Sequence, residues 1–148
     1  MTWSVKSIHF NSVAAVWHIV APMLAEAVEL SEGRYDMRAV YDDLQSERSL
    51  LWVIYDETKV VQAAFTARKA VYPRASFLTV EFLGGADMAL WVEECDRVLT
   101  AYATDCGLDG LELVGRKGWS RPLRSFGWRE NAVMLVKPFA AAHEEKAA

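Results

Sequence analysis

The sequence predicts an α/β sandwich in which two helices precede a mixed central sheet of about six strands. Three observations lead there. An apolar stripe at helical spacing opens the chain, a series of short apolar runs broken by turn residues follows, and the longest helical stripe falls between two later strand segments. A strand, a helix and a second strand in that order call for a right-handed crossover between parallel neighbours.

The first helix is expected from about Ser12, a candidate N-cap, to Leu30, with Val13, Val16, Trp17, Val20, Leu24 and Val28 on one side. Pro22 lies inside it and is expected to kink or divide it. Gly33 closes this region, and Asp36 is placed to cap a short second helix whose apolar positions are Met37, Val40, Tyr41 and Leu44. Leu50 to Tyr55 then reads as a strand, residues 56–59 as a turn, and Val60 to Ala67 as the return strand of a hairpin. Ser76 to Leu83 alternates Leu78, Val80 and Phe82 against Thr79 and Glu81, as a strand does. After Gly84-Gly85-Ala86-Asp87 comes a helix with Met88, Trp91, Val92, Cys95, Val98, Leu99, Tyr102 and Cys106 on its apolar face, stopped by Gly107. A short strand from Leu111 to Val114, a brief helix from Trp119 to Phe126 and a last strand from Arg129 to Val136 complete the order. Residues 1–139 form one domain in this reading, and 140–148 a flexible, Ala-rich tail.

Composition narrows the function classes. The chain has 148 residues, 53% hydrophobic and 24% charged, which suits one packed globular domain with no need of a staple. Its net charge of −4 argues against broad neutralisation of nucleic-acid phosphates. The most apolar stretch, Val13 to Leu30, is interrupted by His18, Pro22, Glu26 and Glu29, so no membrane association is expected. Cys95 and Cys106 fall on one apolar stripe and read as core thiols. His9, His18 and His143 show no metal-ligand spacing, and no metal is expected. Ser120 lacks the Gly-x-Ser-x-Gly context of a nucleophile elbow.

The element order, and the segments LLWVIYDETKVVQAAFTAR, FLTVEFLGGADMALW, ELVGRKGWSRPLRSFGW and VMLVKP, resemble the GNAT N-acetyltransferase superfamily, and in particular GNAT-like proteins of tailed bacteriophages and prophages. The likeness covers roughly residues 12 to 137. It implies a GNAT-like three-layer sandwich and acetyl-CoA as cofactor. In that superfamily an Arg/Gln-x-x-Gly-x-Gly/Ala loop opens the long helix, where backbone N–H groups and the positive helix end receive the pyrophosphate. Leu83, Gly84, Gly85, Ala86 and Asp87 stand at the matching place, in a shorter loop without the Arg/Gln. Asp87 also fits the bland role of helix cap, and its charge opposes a phosphate.

The resemblance further implies a carboxylate on the preceding strand that takes the proton of the acceptor amine, and Glu81 matches it. The tyrosine that protonates the leaving thiolate in many relatives is replaced by Leu123, with Tyr102 a weak substitute. Two functions follow. One is acyl-CoA-dependent N-acetylation of an amine acceptor that the sequence does not identify. The other is a GNAT-like bacteriophage protein without turnover, either a virion component or a host-directed binding protein. The expected location is correspondingly the bacterial cytoplasm or the virion. Arg116, Lys117, Arg121, Arg124 and Arg129 crowd around Trp119, Phe126 and Trp128. Arg116, Trp119, Arg121, Arg124 and Trp128 are therefore the candidate docking patch for a protein partner, with nucleic acid the less favoured ligand.

Overall fold

The computed structural model describes residues 2–139, so the tail expected at 140–148 lies outside the described residues. Five strands form one sheet in the order β1 (Ser4–Ile8), β2 (Leu50–Tyr55), β3 (Val61–Val71), β4 (Ser76–Gly85) and β5 (Gly110–Leu113). Neighbours are antiparallel from β1 through β4, and β4 and β5 are parallel, the arrangement a crossover helix requires. α1 (Val13–Glu29) and α2 (Met37–Gln45) cover one face, and α3 (Met88–Asp105) covers the other. The fold is the expected mixed three-layer sandwich.

Each helix docks through the stripe its sequence dictates. On α1 the buried residues are Val13, Val20, Leu24 and Val28, and on α2 they are Val40 and Leu44. All six join Leu51, Val53, Ala64 and Phe82 of the sheet in one layer of core. By length and composition Phe10–Glu29 is apolar enough to cross a membrane, yet its apolar stripe is spent on this sheet. On α3, Trp91, Cys95, Leu99 and Ala103 pack with Trp52, Ile54, Phe65, Leu78 and Val80 in the second layer. Trp52 and Phe65 stack there with ring centroids 5.9 Å apart.

Several local expectations change. α1 runs through Pro22 without dividing; Pro22 and His18, the residue whose carbonyl loses its partner, are both exposed and lie on the solvent side of the helix. Ser12 stands at the α1 N-cap position but makes no capping bond, because a 3₁₀ turn over Phe10–Ser12 already leads into the helix. Asp36 does cap α2, accepting the Ala39 N–H at 2.8 Å. β1 was not expected: in Ser4–Ile8 only Val5 is buried, so this edge strand lacks a clear alternation. The strand expected over Arg129 to Val136 is absent. Residues 128–139 follow α4 (Ser120–Arg124) without regular structure, so among the described residues the sheet has five strands, with the unexpected β1 in and the expected last strand out. Apolar alternation supplies strand propensity, but a strand also needs a partner edge.

Candidate functional site

The site is built around a discontinuity in β4. Thr66 of β3 pairs with Phe82, and Ala67 pairs with Val80, so Glu81 is the one extra residue of a β-bulge. A bulge reverses the alternation of the strand. Leu78 and Val80 face the α3 layer, whereas Phe82 enters the α1/α2 layer and Leu83 returns to the α3 layer. In a strand of regular alternation Phe82, two residues after Val80, would point the same way as Val80.

The sheet divides at the same place. Phe77 to Val80 pair with Gly110 to Leu113, but among the described residues Phe82 to Gly85 pair on the β3 side alone and the bulged Glu81 on neither side. Five residues of β4 therefore present an open main-chain edge beyond the end of β5.

Glu81 has a defined setting. Its side chain is 11% exposed; Ser49 donates its hydroxyl to Oε1 at 2.8 Å, and Arg68 Nε lies 3.4 Å from Oε2. Neither partner was singled out from sequence. Ser49 is buried just before β2, and Arg68 follows Ala67 on β3. The only available signal was a polar residue ahead of an apolar run and a cation continuing a strand. Ser49 and Arg68 also line a cavity of about 320 Å³ that reaches His9, Arg48, Lys69 and Tyr102. Beside them lies a second carboxylate: Glu112 of β5 accepts hydroxyls from Tyr72 at 2.6 Å and Thr79 at 2.7 Å, both on Oε1. Its hydrogen bond and charge, in that order of bonding before burial, hold the Tyr72 phenol above its ordinary range.

The loop residues serve purposes that glycine counting did not reveal. A Cβ on Gly84 would sit 1.7 Å from the Met23 carbonyl oxygen, so this glycine admits the α1 backbone rather than a ligand. Gly85 has φ of +137°, and a Cβ there would lie 2.4 Å from Ala63 Cα. The Ala86 N–H is bonded to the Gln62 carbonyl at 2.9 Å, and its own carbonyl accepts the Trp91 indole N–H at 2.7 Å. Asp87 occupies the N-cap position in the left-handed region, with φ of +60°, and its carboxylate makes no cap bond. The capping role offered for its side chain is thus not realised. The turn leaves Met88 and Ala89 as the N–H groups opening α3, since Leu90 donates to the Asp87 carbonyl.

Leu123 is buried in α4 and offers no proton. Tyr102 packs edge-on against Trp52 at 5.1 Å, and burial, followed by Cys106, raises its phenol from the usual range. In the basic segment, Arg121, Arg124 and Arg129 are exposed, and Arg116 lies 3.8 Å from Glu26. Trp119 is half-buried, and Trp128 is tied to α3 through its indole N–H on Asp96 at 2.7 Å. Ser120 donates to Glu130 at 2.7 Å. Among the described residues no cluster of three His, Cys, Asp or Glu could hold a metal.

No protein-family profile matches the chain, and no curated protein matches its sequence. Solved structures do match its fold. A ribosomal-protein-alanine N-acetyltransferase from Brucella melitensis superposes with a TM-score of 0.66 at 13% identity, covering 94% of this chain and 100% of that one. A GCN5-related N-acetyltransferase from Ralstonia eutropha gives 0.64 at 13% identity, covering 94% and 99%. A predicted acetyltransferase from Clostridium acetobutylicum, solved with acetyl-CoA, gives 0.62 at 11% identity, covering 96% and 99%. The chain has the GNAT fold over nearly its whole described length.

Proposed function

We propose that this protein is an acyl-CoA-dependent N-acetyltransferase of the GNAT type. The observation that carries the reading is the coincidence of the Glu81 bulge with the point where β4 and β5 part. A held carboxylate and an open strand edge meet there, and a bulge beside a site is a recurrent way to aim a side chain. The likeness to an acetyltransferase solved with acetyl-CoA supports the same donor here.

The residues present fit such a donor in part. The free edge of β4 from Glu81 to Gly85 offers amide partners to an extended chain, and the Met88 and Ala89 N–H groups at the start of α3 offer donors to an anion. The sealed face of Gly84 and the occupied Ala86 N–H make this a smaller phosphate cradle than Leu83 to Asp87 suggested. Bound acetyl-CoA would supply an activated thioester. Glu81 would take the proton of the acceptor amine, with Ser49 fixing Oε1 and Arg68 facing Oε2 so that the carboxylate keeps one orientation. Leu123 leaves α4 without a proton donor.

A second reading, a GNAT-like bacteriophage binding protein without turnover, draws support from that leucine and the reduced cradle. Its contact surface would be the exposed Arg116, Arg121 and Arg124 with Trp119. Calorimetric titration with acetyl-CoA, followed by an assay of CoA release with a panel of amines, separates the two. Saturable binding with amine-dependent release supports the enzyme. No heat of binding at millimolar acetyl-CoA overturns it.

A further inference from the structure

One buried polar group in the sheet is idle in the structure. Thr66 of β3 is 1% exposed, and its Oγ1 has no hydrogen-bond partner among the described residues. A hydroxyl buried in this way destabilises a fold, and a valine would fill nearly the same space without that penalty. Its surroundings give it a use. Thr66 pairs with Leu51 of the α1/α2 layer, so it faces those helices, and Arg68 two residues on faces the same way. Glu81 of β4 accepts the Ser49 hydroxyl at 2.8 Å, yet Ser49 immediately precedes β2, with β3 between. The Glu81 side chain therefore crosses over β3. Leu50 pairs with Ala67, and Glu81 is bulged out opposite the step from Thr66 to Ala67, so the crossing falls between Thr66 and Arg68. The carboxylate has Arg68 on one side, 3.4 Å from Oε2, and the Thr66 side chain on the other.

Both partners of Glu81 are donors. The Ser49 hydroxyl gives its hydrogen to Oε1 and the Arg68 guanidinium faces Oε2, a setting that suits the ionised carboxylate. A proton on Glu81 turns one of its oxygens into a donor, and Arg68 has no lone pair with which to meet it. We propose that Thr66 is a positioning residue whose Oγ1 accepts the hydrogen bond of protonated Glu81. A hydroxyl accepts as readily as it donates, so the group left over beside the carboxylate is the one the acid requires. The inference rests on Glu81 as the proton acceptor of the proposed transfer. The proton leaves the nitrogen of the acceptor amine for Glu81 and is held there in the hydrogen bond to Thr66. It then passes to solvent, to which the Glu81 side chain keeps 11% exposure, and Glu81 returns to its ionised form. This gives a reason for a threonine in a layer whose other members are apolar.

Two substitutions at Thr66 should move stability and turnover in opposite directions. Thr66→Val removes the unpaired hydroxyl, so it should melt at or above wild type while kcat falls about tenfold or more at unchanged KM. Thr66→Ser keeps the hydroxyl and loses a buried methyl, so it should melt below wild type and retain most of the turnover. Thermal melts of the free protein read the first quantity, and CoA release with the best amine of the panel reads the second. A Thr66→Val variant that melts clearly below wild type overturns the proposal, since the hydroxyl would then hold the native fold together. Wild-type kcat in Thr66→Val overturns it too, as does a Thr66→Ser variant as slow as Thr66→Val. Glu81→Gln, assayed beside them, separates two kinds of failure. An active Glu81→Gln removes the reading of Glu81 and this inference with it. An inactive Glu81→Gln beside a fully active Thr66→Val overturns the role of Thr66 alone.

Discussion

Gly84→Ala separates a glycine that packs from a glycine that binds. The added Cβ would stand 1.7 Å from the Met23 carbonyl oxygen and 2.8 Å from its carbon, where ordinary contact begins at 3.4 Å. Relief requires α1 and β4 to part by about 1.7 Å, the difference between the first and last of these distances. Neither can yield locally, since Val20 and Leu24 of α1 are fully buried and Gly84 is paired with Ala64. Overpacking costs about 1–3 kcal/mol where side chains can adjust, and more where backbone must shift. The expected loss is therefore about 3 kcal/mol or more, which lowers Tm by roughly 10 °C in a chain of this size. Thermal melts read that loss, and calorimetry with acetyl-CoA is run on the same samples below the transition. A variant that melts within about 2 °C of wild type while losing acetyl-CoA would refute the reasoning and return Gly84 to the phosphate. Gly85→Ala is expected to destabilise too, because a positive φ and a Cβ at 2.4 Å from Ala63 Cα act together.

Trp91→Phe keeps an aromatic ring in the core but drops the indole bond to the Ala86 carbonyl, so urea unfolding should show a loss of about 1–3 kcal/mol. Trp91→Ala should cost about 3–5 kcal/mol, since the side chain is 1% exposed; a cost under ~1 kcal/mol would contradict its burial. Glu81→Gln should lower kcat by about 10²–10⁴-fold with little change in Tm, and Ser49→Ala should fall between this variant and wild type; unchanged turnover in Glu81→Gln would remove Glu81 from the mechanism. Cys95 should make folding sensitive to alkali. Burial first, then the charges of Asp96 and Glu94, push its thiol up to about 12 from an ordinary 9.0, so the native state keeps a proton that the unfolded chain releases. This contribution is intact below pH 9.0 and is lost toward 12, with a slope of about 1.4 kcal/mol per pH unit. Urea unfolding on both sides of pH 9.0 should show a shallower decline in Cys95→Ala.

The layers were legible because burial writes a period into sequence. The α3 stripe and the α1 stripe both dock as their spacing requires, and β2 matches its expected limits. What escaped depended on pairing, which has no local signature. β1 carries one buried residue, and Arg129 to Val136 has strand composition without a strand. Glu81 was singled out through the family resemblance, but Ser49 comes from the turn before β2 and Arg68 from β3, and no local pattern announces that they meet its carboxylate. Gly84 and Gly85, expected in the loop that opens α3, instead close β4, where each meets backbone. A glycine announces room for something, and only the third dimension says that here the something is Met23 and Ala63.

The extra residue in β4 has a consequence for how the chain can change over time. Position 81 tolerates both exchange of its side chain and deletion. Removing the residue would turn the bulge into a regular ladder, with Val80 on Ala67 and Phe82 on Thr66 still facing opposite layers and the turn into α3 still in register. Replacing glutamate costs a proton acceptor and leaves the frame intact. A lineage could thus abandon chemistry in a single step and keep its architecture, and could recover chemistry the same way. Loss of activity and loss of fold are separate events at this position, which makes it the cheapest place in the molecule for a catalyst to become a scaffold or a scaffold a catalyst.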